Sequence, residues 1–335
     1  MNDAHAIAIL GDGGWGTTLA VLCAEQGRRV RLWSAFPEHA QAIRTQGENK
    51  KFLPGIPVSH AIQITADLAE AIAEARIIVI AAPSQYLRQT VERLRTLPLG
   101  NRLLVSAAKG IERGTLLRMS EVVQQTLGTV HLAVLSGPTI AREVAEHLPT
   151  ACVVASMEIR WAEEAQDALS APHFRLYTQR DVVGVELGGS LKNVVAIAAG
   201  IADGLGFGSN TKAALLTRGM AEITRLGVAC GAQPDTFWGL SGFGDLLTTC
   251  VSPQSRNRSL GEALGRGERL RDLLAKTEMV VEGVETARSA RDLAQRHGID
   301  MPITREVYAV LYEDKSPQAA VQSLLMRERR SECSE

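Results

Sequence analysis

Disulfide chemistry is missing from the pattern of this chain. Its five cysteines (Cys23, Cys152, Cys230, Cys250 and Cys333) are odd in number, scattered, and never arranged as C-x-x-C. That argues against a disulfide framework or a zinc site and for a reducing compartment. The seven histidines show no metal-ligand spacing, so no metal is expected. An excess of one charge is lacking too. A formal net charge of −1 over 335 residues gives no bulk attraction to nucleic acid or membrane. No basic, apolar, small-residue series opens the chain, which predicts no signal peptide and a cytoplasmic location. No apolar stretch is expected to reach a membrane span, because Lys192 interrupts the best candidate. Internal repeats and low-complexity linkers are absent. What remains is a composition 45% hydrophobic, enough for ordinary globular cores, in a chain long enough for two.

The first informative stretch is Ala6-Ile7-Ala8-Ile9-Leu10, a short apolar run that reads as a buried strand. It leads directly into Gly11-Asp12-Gly13-Gly14-Trp15-Gly16, a complete G-x-G-x-x-G. A helix is predicted over 17–26 and a second strand over 29–33. Between a strand and a helix of a βαβ unit this motif is a dinucleotide fingerprint. Gly11 permits the tight turn, Gly13 lets backbone approach a pyrophosphate, and Gly16 lets helix and strand pack closely. The helix N-terminus then offers N–H groups and its positive dipole end to the phosphates. After the second strand comes Ser34-Ala35-Phe36-Pro37, with no acidic residue for a ribose hydroxyl and no arginine for a 2′-phosphate. Both NAD and NADP stay open.

Further strands are predicted over 62–65, 77–81, 102–106, 132–135, 150–155 and 174–177, and Asp67 with Glu70 forms a capping box. Alternation with helices implies a doubly wound, mostly parallel sheet. Such sheets bind ligands at the carboxyl ends of their strands. The fingerprint, Pro83-Ser84, Lys109 and Gly137-Pro138-Thr139 should therefore share one rim. Lys109 reads either as a cation beside cofactor and substrate or as a solvated surface lysine.

Strand signal fades after Asp181. Helices are predicted over 212–225, 260–276, 285–297, 306–313 and 317–329, with Ser316-Pro317 a clear helix start and a charged tail fraying from Arg327. The expected organisation is a Rossmann-like α/β domain over 1–180 and an all-helical domain over 181–335. In the run from Leu187 to Ala202 the only charge is Lys192. Burial would depress its pKa and make it a usable proton carrier near neutral pH. The alternative is a lysine that snorkels to water. Two loops are expected farther on. Leu240-Ser241-Gly242-Phe243-Gly244-Asp245-Leu246 presents a carboxylate. Ser255-Arg256-Asn257-Arg258 gathers hydroxyl, guanidinium and amide donors suited to a phosphate ester.

Taken in order, these motifs, together with Glu186-Leu187-Gly188-Gly189-Ser190-Leu191-Lys192-Asn193 and Val280-Val281-Glu282-Gly283, resemble the bacterial NAD(P)-dependent sn-glycerol-3-phosphate dehydrogenase family along nearly the whole chain. The resemblance implies a Rossmann domain joined to a helical domain with the active site between. It also implies reversible interconversion of dihydroxyacetone phosphate and sn-glycerol 3-phosphate for phospholipid synthesis. It implies Lys192 as proton carrier and substrate contacts at Lys109, Gly137, Thr139, Asn193, Asp245, Ser255, Arg256 and Asn257. Cofactor contacts are implied at Gly14, Trp15, Ala35, Lys109, Ala141, Arg256, Val280 and Glu282, in addition to the fingerprint glycines Gly11, Gly13 and Gly16. Family members often carry a basic or imidazole side chain where this chain has Ala35, which bears on cofactor preference alone. Asp245 could orient Lys192 or bind a substrate hydroxyl. Other readings are a different two-domain dehydrogenase acting on a hydroxy acid or sugar acid, and a non-catalytic NAD(P)H-binding redox sensor. The sensor would need an output surface, such as a basic recognition helix, and none is evident. Oligomeric state is not fixed, a homodimer being one option.

Overall fold

The computed structural model describes residues 6–328 and Ser331. Cys333 and most of the charged tail lie outside the described residues. Eight strands form one sheet: β1 (Ile7–Leu10), β2 (Val30–Trp33), β3 (Gln63–Thr65), β4 (Ile77–Ile80), β5 (Leu103–Ser106), β6 (His131–Ser136), β7 (Thr150–Ala155) and β8 (Phe174–Gln179). Their spatial order is β3-β2-β1-β4-β5-β6-β7-β8. Every neighbouring pair is parallel except β6 with β7. The central strands are continuous apolar runs because both faces are covered by helices. The chain's direction across the sheet reverses beside β1 and β4, the switch point at which such sheets open a crevice.

The helices of this half are α1 (Gly14–Glu25), α2 (Pro37–Gln46), α3 (Leu68–Ile72), α4 (Ser84–Glu92), α5 (Met119–Leu127), α6 (Ala141–Ala145) and α7 (Ile159–Leu169). The predicted capping box at α3 is half formed. Asp67 accepts from the N–H groups of Ala69 and Glu70, but the Glu70 carboxylate takes the Thr65 hydroxyl instead of reaching back to the cap.

The remaining helices are α8 (Val182–Gly204), α9 (Ser209–Ala229), α10 (Asp245–Val251), α11 (Arg256–Gly265), α12 (Leu270–Ala275), α13 (Glu282–His297), α14 (Pro302–Tyr312) and α15 (Pro317–Leu325). Of these, α9, α10, α11, α13 and α14 pack around α8, whose residues from Val185 to Ala202 are all buried except Ala198. By length and composition α8 could cross a membrane, contrary to the expectation that Lys192 rules this out. In the fold 89% of that apolar window is buried against protein, so α8 is a core helix. The helix predicted over 260–276 is broken at Gly265-Arg266-Gly267. Gly267 takes φ +94° there, a value that ends a helix. Both predicted loops turn out helical. Leu240–Gly244 is a π-helical turn leading into α10, and Ser255-Arg256-Asn257 is the cap and first turn of α11.

Candidate active site

The fingerprint closes tightly around its own backbone. Gly11 has φ +121°, and a Cβ there would stand 2.9 Å from the Ala81 carbonyl carbon. A Cβ on Gly16 would stand 1.9 Å from the Gly11 oxygen, so neither position admits a side chain. Among the described residues nothing stands within 4 Å of a Cβ added to Gly13, and no side chain caps α1. Its first N–H groups are therefore available to an anion. Trp15 is half-buried and edge-on to Phe174 at 6.0 Å. Ala141 lies against the start of α1, where its carbonyl accepts from Thr18 Oγ1 at 3.0 Å. Ala35 is exposed beyond β2 and brings no charge to the site. The nearby acid is Asp12 of the fingerprint, whose Oδ2 lies 2.5 Å from His39 Nδ1 on α2.

Beyond the carboxyl ends of β5 and β6, two lysines converge on one carboxylate. Lys192 Nζ donates to Asp245 Oδ1 at 2.7 Å and to Thr249 Oγ1 at 2.5 Å. Lys109 Nζ donates to Asp245 Oδ2 at 2.8 Å, to the Gly137 carbonyl at 2.8 Å and to Thr139 Oγ1 at 2.9 Å. Lys192 and Asp245 are buried, and Lys109 is partly so. The snorkelling alternative therefore fails. Burial pulls the Lys192 pKa down from 10.5 to about 8; Asp245 resists this and the Lys109 charge adds to it. The small residues before Lys192 are required by packing. A Cβ on Gly188 would meet the Ser241 carbonyl oxygen at 2.7 Å, and one on Gly189 would meet Ser136 Oγ at 2.2 Å. Thr249 was not identified from sequence. Its signal is its position four residues after Asp245, on the same face of α10.

The start of α11 joins this cluster to the cofactor side. Ser255 caps the helix by accepting from the Arg258 N–H at 3.2 Å. Arg256 Nη1 donates to the Val280 carbonyl at 2.7 Å. Asn257 Nδ2 donates to Asn193 Oδ1 at 2.9 Å, beside Lys192, and Asn257 Oδ1 accepts from the Gly283 N–H at 2.9 Å. Glu282 accepts from the Ser84 N–H at 3.0 Å and its hydroxyl at 2.5 Å, at the start of α4; burial raises its pKa. Among the described residues no group of three or more His, Cys, Asp or Glu side chains is placed to hold a metal ion.

Two family models match in succession. The NAD-dependent glycerol-3-phosphate dehydrogenase N-terminus covers residues 6–162, and the C-terminus of the same family covers 181–322. The chain belongs to the NAD-dependent glycerol-3-phosphate dehydrogenase family. It is 50% identical over 326 residues to glycerol-3-phosphate dehydrogenase (NAD(P)+) of Thermoanaerobacter sp. strain X514, covering 97% of this chain and 98% of that one. It is 51% identical over 329 residues to the enzyme of the same name from Moorella thermoacetica, covering 98% of each. The crystal structure of glycerol-3-phosphate dehydrogenase from Coxiella burnetii superposes with a TM-score of 0.93 at 41% identity. That match spans 96% of this chain and 99% of the other. The family's architecture, a mostly parallel Rossmann-like sheet followed by helices, is the one described above.

Proposed function

We propose that this chain reduces dihydroxyacetone phosphate to sn-glycerol 3-phosphate, reversibly, with NADH or NADPH. The observation that carries this reading is the buried pairing of Lys192 and Lys109 on Asp245, at the carboxyl rim of a sheet whose fingerprint leaves an uncapped helix N-terminus. Residues 1–180 would hold the cofactor and 181–335 the groups that handle substrate. This division is supported by the end of β8 at Gln179 and the start of α8 at Val182.

The open space at Gly13 and the free N–H groups of α1 suit a dinucleotide pyrophosphate, with Gly14, Trp15, Ala141, Val280 and Glu282 alongside. The nicotinamide, when bound, supplies the hydride. Reduction turns a neutral carbonyl into an alkoxide, and Lys192 as an ammonium donates the proton it needs. At pH 7 a pKa of about 8 leaves the ammonium favoured roughly ten to one. Oxidation needs the neutral amine. Asp245 holds both lysines through separate oxygens, which favours an orienting role. Arg256, with Ser255 and Asn257, would anchor the substrate phosphate and set its reacting carbon in register.

The test is initial-rate reduction of dihydroxyacetone phosphate with NADH and NADPH in parallel, repeated with unphosphorylated dihydroxyacetone. Arg256→Ala should weaken the phosphorylated substrate selectively. Equal loss with both ketones would remove Arg256 from the phosphate site, and no turnover with dihydroxyacetone phosphate would remove the function itself.

A further inference from the structure

Glu186 is a buried carboxylate with no part in the proton chemistry above. Its side chain is 4% exposed, on α8 six residues before Lys192. Among the described residues its three hydrogen-bond donors all come from the start of α5. The Ser120 N–H donates at 2.7 Å, Ser120 Oγ at 2.6 Å and Arg118 Nη1 at 2.5 Å. Arg118 is fixed in turn by Glu121, which accepts its Nη2 at 2.8 Å and its backbone N–H at 2.8 Å.

Adhesion alone does not call for a charge here. Val182 and Val185 already pack on Val134, Val153 and Ala155 at the same junction. A buried ion pair adds little net stability over apolar packing, and its better-attested use is to fix registry. Three directional bonds to one carboxylate resist sliding of α8 along its axis, which smooth aliphatic contacts permit.

The far side of the contact is connected to the site along the chain. From Lys109 the chain runs through a short turn in which Ile111 bridges to Arg118 and the Glu112 N–H donates to the Leu117 carbonyl at 2.9 Å. The contacts therefore form a closed ring. Lys109 leads along the chain to Arg118 and Ser120, which bind Glu186. Glu186 leads along α8 to Lys192, and Asp245 returns the ring to Lys109. Glu282, bonded to Ser84 at the start of α4, is a second carboxylate tether of the same kind.

We propose that the Glu186–Arg118–Ser120 clasp is a positioning device for the reaction, setting the axial register of α8 so that Lys192 Nζ faces the Lys109 rim. The inference rests on the reading of Lys192 as proton carrier. A displacement near 1 Å at a reacting group can lower turnover about a hundredfold, so a small slip of α8 is enough to be measured.

The experiment compares Glu186→Gln, Arg118→Lys and Ser120→Ala with Val185→Ala, a packing change at the same junction. Each is assayed for kcat, for KM toward NADH and NADPH, for the pH–rate profile and for Tm. Glu186→Gln should lower kcat about ten- to a hundredfold while cofactor KM stays within about threefold, and it should displace the limb of the profile governed by Lys192. That limb also responds to Asp245, Lys109 and Cys250, which are left intact in all four proteins. Arg118→Lys, which keeps the charge, should retain more activity. Val185→Ala should lower Tm with kcat near wild type. If Glu186→Gln only lowers Tm, with wild-type kcat and an unmoved limb, the clasp is structural and the inference fails. Should that variant not fold, Ser120→Ala is judged by the same two outcomes. A wild-type enzyme inactive on dihydroxyacetone phosphate would overturn the proposed function and this inference together. Active wild type with unaffected variants overturns the inference alone.

Discussion

At the scale of the residue, Lys192 holds its proton less tightly than a free lysine because it has exchanged water for one carboxylate and a hydroxyl. With its pKa near 8, reduction should slow as pH rises through about 8 and oxidation should speed up over the same range. Asp245→Asn removes the influence that holds the pKa up, so the limb should move to lower pH. A limb that stays in place would separate Asp245 from Lys192. Lys192→Ala should reduce turnover by roughly 10²–10⁴ while leaving cofactor binding intact, as judged by titration of NADH fluorescence. The same depressed pKa has a stability consequence. Below pH 8 the folded state holds a charge that the unfolded chain accommodates more easily, and this penalty is relieved as pH rises from about 8 to 10.5. Lys192→Met should therefore be more resistant to urea than wild type at pH 7, with the advantage shrinking above pH 8. An advantage independent of pH would point to packing instead of charge.

At the scale of the element, the site depends on how closely α8 and α11 approach. Added Cβ atoms on Gly200 and Gly261 would stand 2.0 Å from the Arg258 oxygen and 2.1 Å from the Ile197 oxygen. Gly204 and Gly265 make equivalent approaches one turn on, so the two helices cross backbone to backbone. That contact delivers Asn257 to Asn193 and keeps Arg256 next to Val280. Gly261→Ala meets backbone, which has no flexible end to move aside. It should destabilise the protein by about 1–3 kcal/mol in urea titration, and it should lower activity by shifting the start of α11. Wild-type stability would mean the crossing is looser than described. The spacing of Gly200 with Gly204 and of Gly261 with Gly265 was readable in the sequence, but only the fold shows that the two pairs face each other. The strands of the sheet were legible because doubly covered strands are unbroken apolar runs, and the fingerprint because its glycines have no substitute. The first turn of α11 and the π-helical turn before α10 were not. A polar cap followed by arginine and asparagine has no apolar period, and Gly239, Gly242 and Gly244 conceal a helical turn. The partners of Glu186 and Glu282 lie 66 and 198 residues away in the chain, a distance no local pattern spans.

At the scale of the whole molecule, the sheet half and the helical half are joined by shared apolar packing and a set of polar ties. The junction buries Val134, Val153, Ala155, Val182 and Val185, and Ile111 and Leu116 of the sheet half are buried in the core around α8. The ties include Lys109 to Asp245, Arg118 to Glu186, Ser84 to Glu282 and the more exposed pairs Lys51 to Glu278 and Arg113 to Glu285. The exposed pairs add little and are easily screened by salt. The others differ, because separating the halves would strip the buried Glu186 of Arg118 and leave Asp245 with Lys192 but without Lys109, while each buried valine returned to water costs roughly 1.5–3 kcal/mol. Summed over the junction, this coupling is a sizeable fraction of the roughly 5–15 kcal/mol that stabilises a typical domain, so neither half should unfold while the other stays native. Scanning calorimetry should show one transition with equal calorimetric and van't Hoff enthalpies, nearly unmoved between 0.05 and 0.5 M salt. Two resolved transitions, or a salt-dependent splitting of one, would mean that the junction is held mainly by screened charge. In that case the register of Lys192 against the rim would vary with ionic strength, and kcat would vary with it.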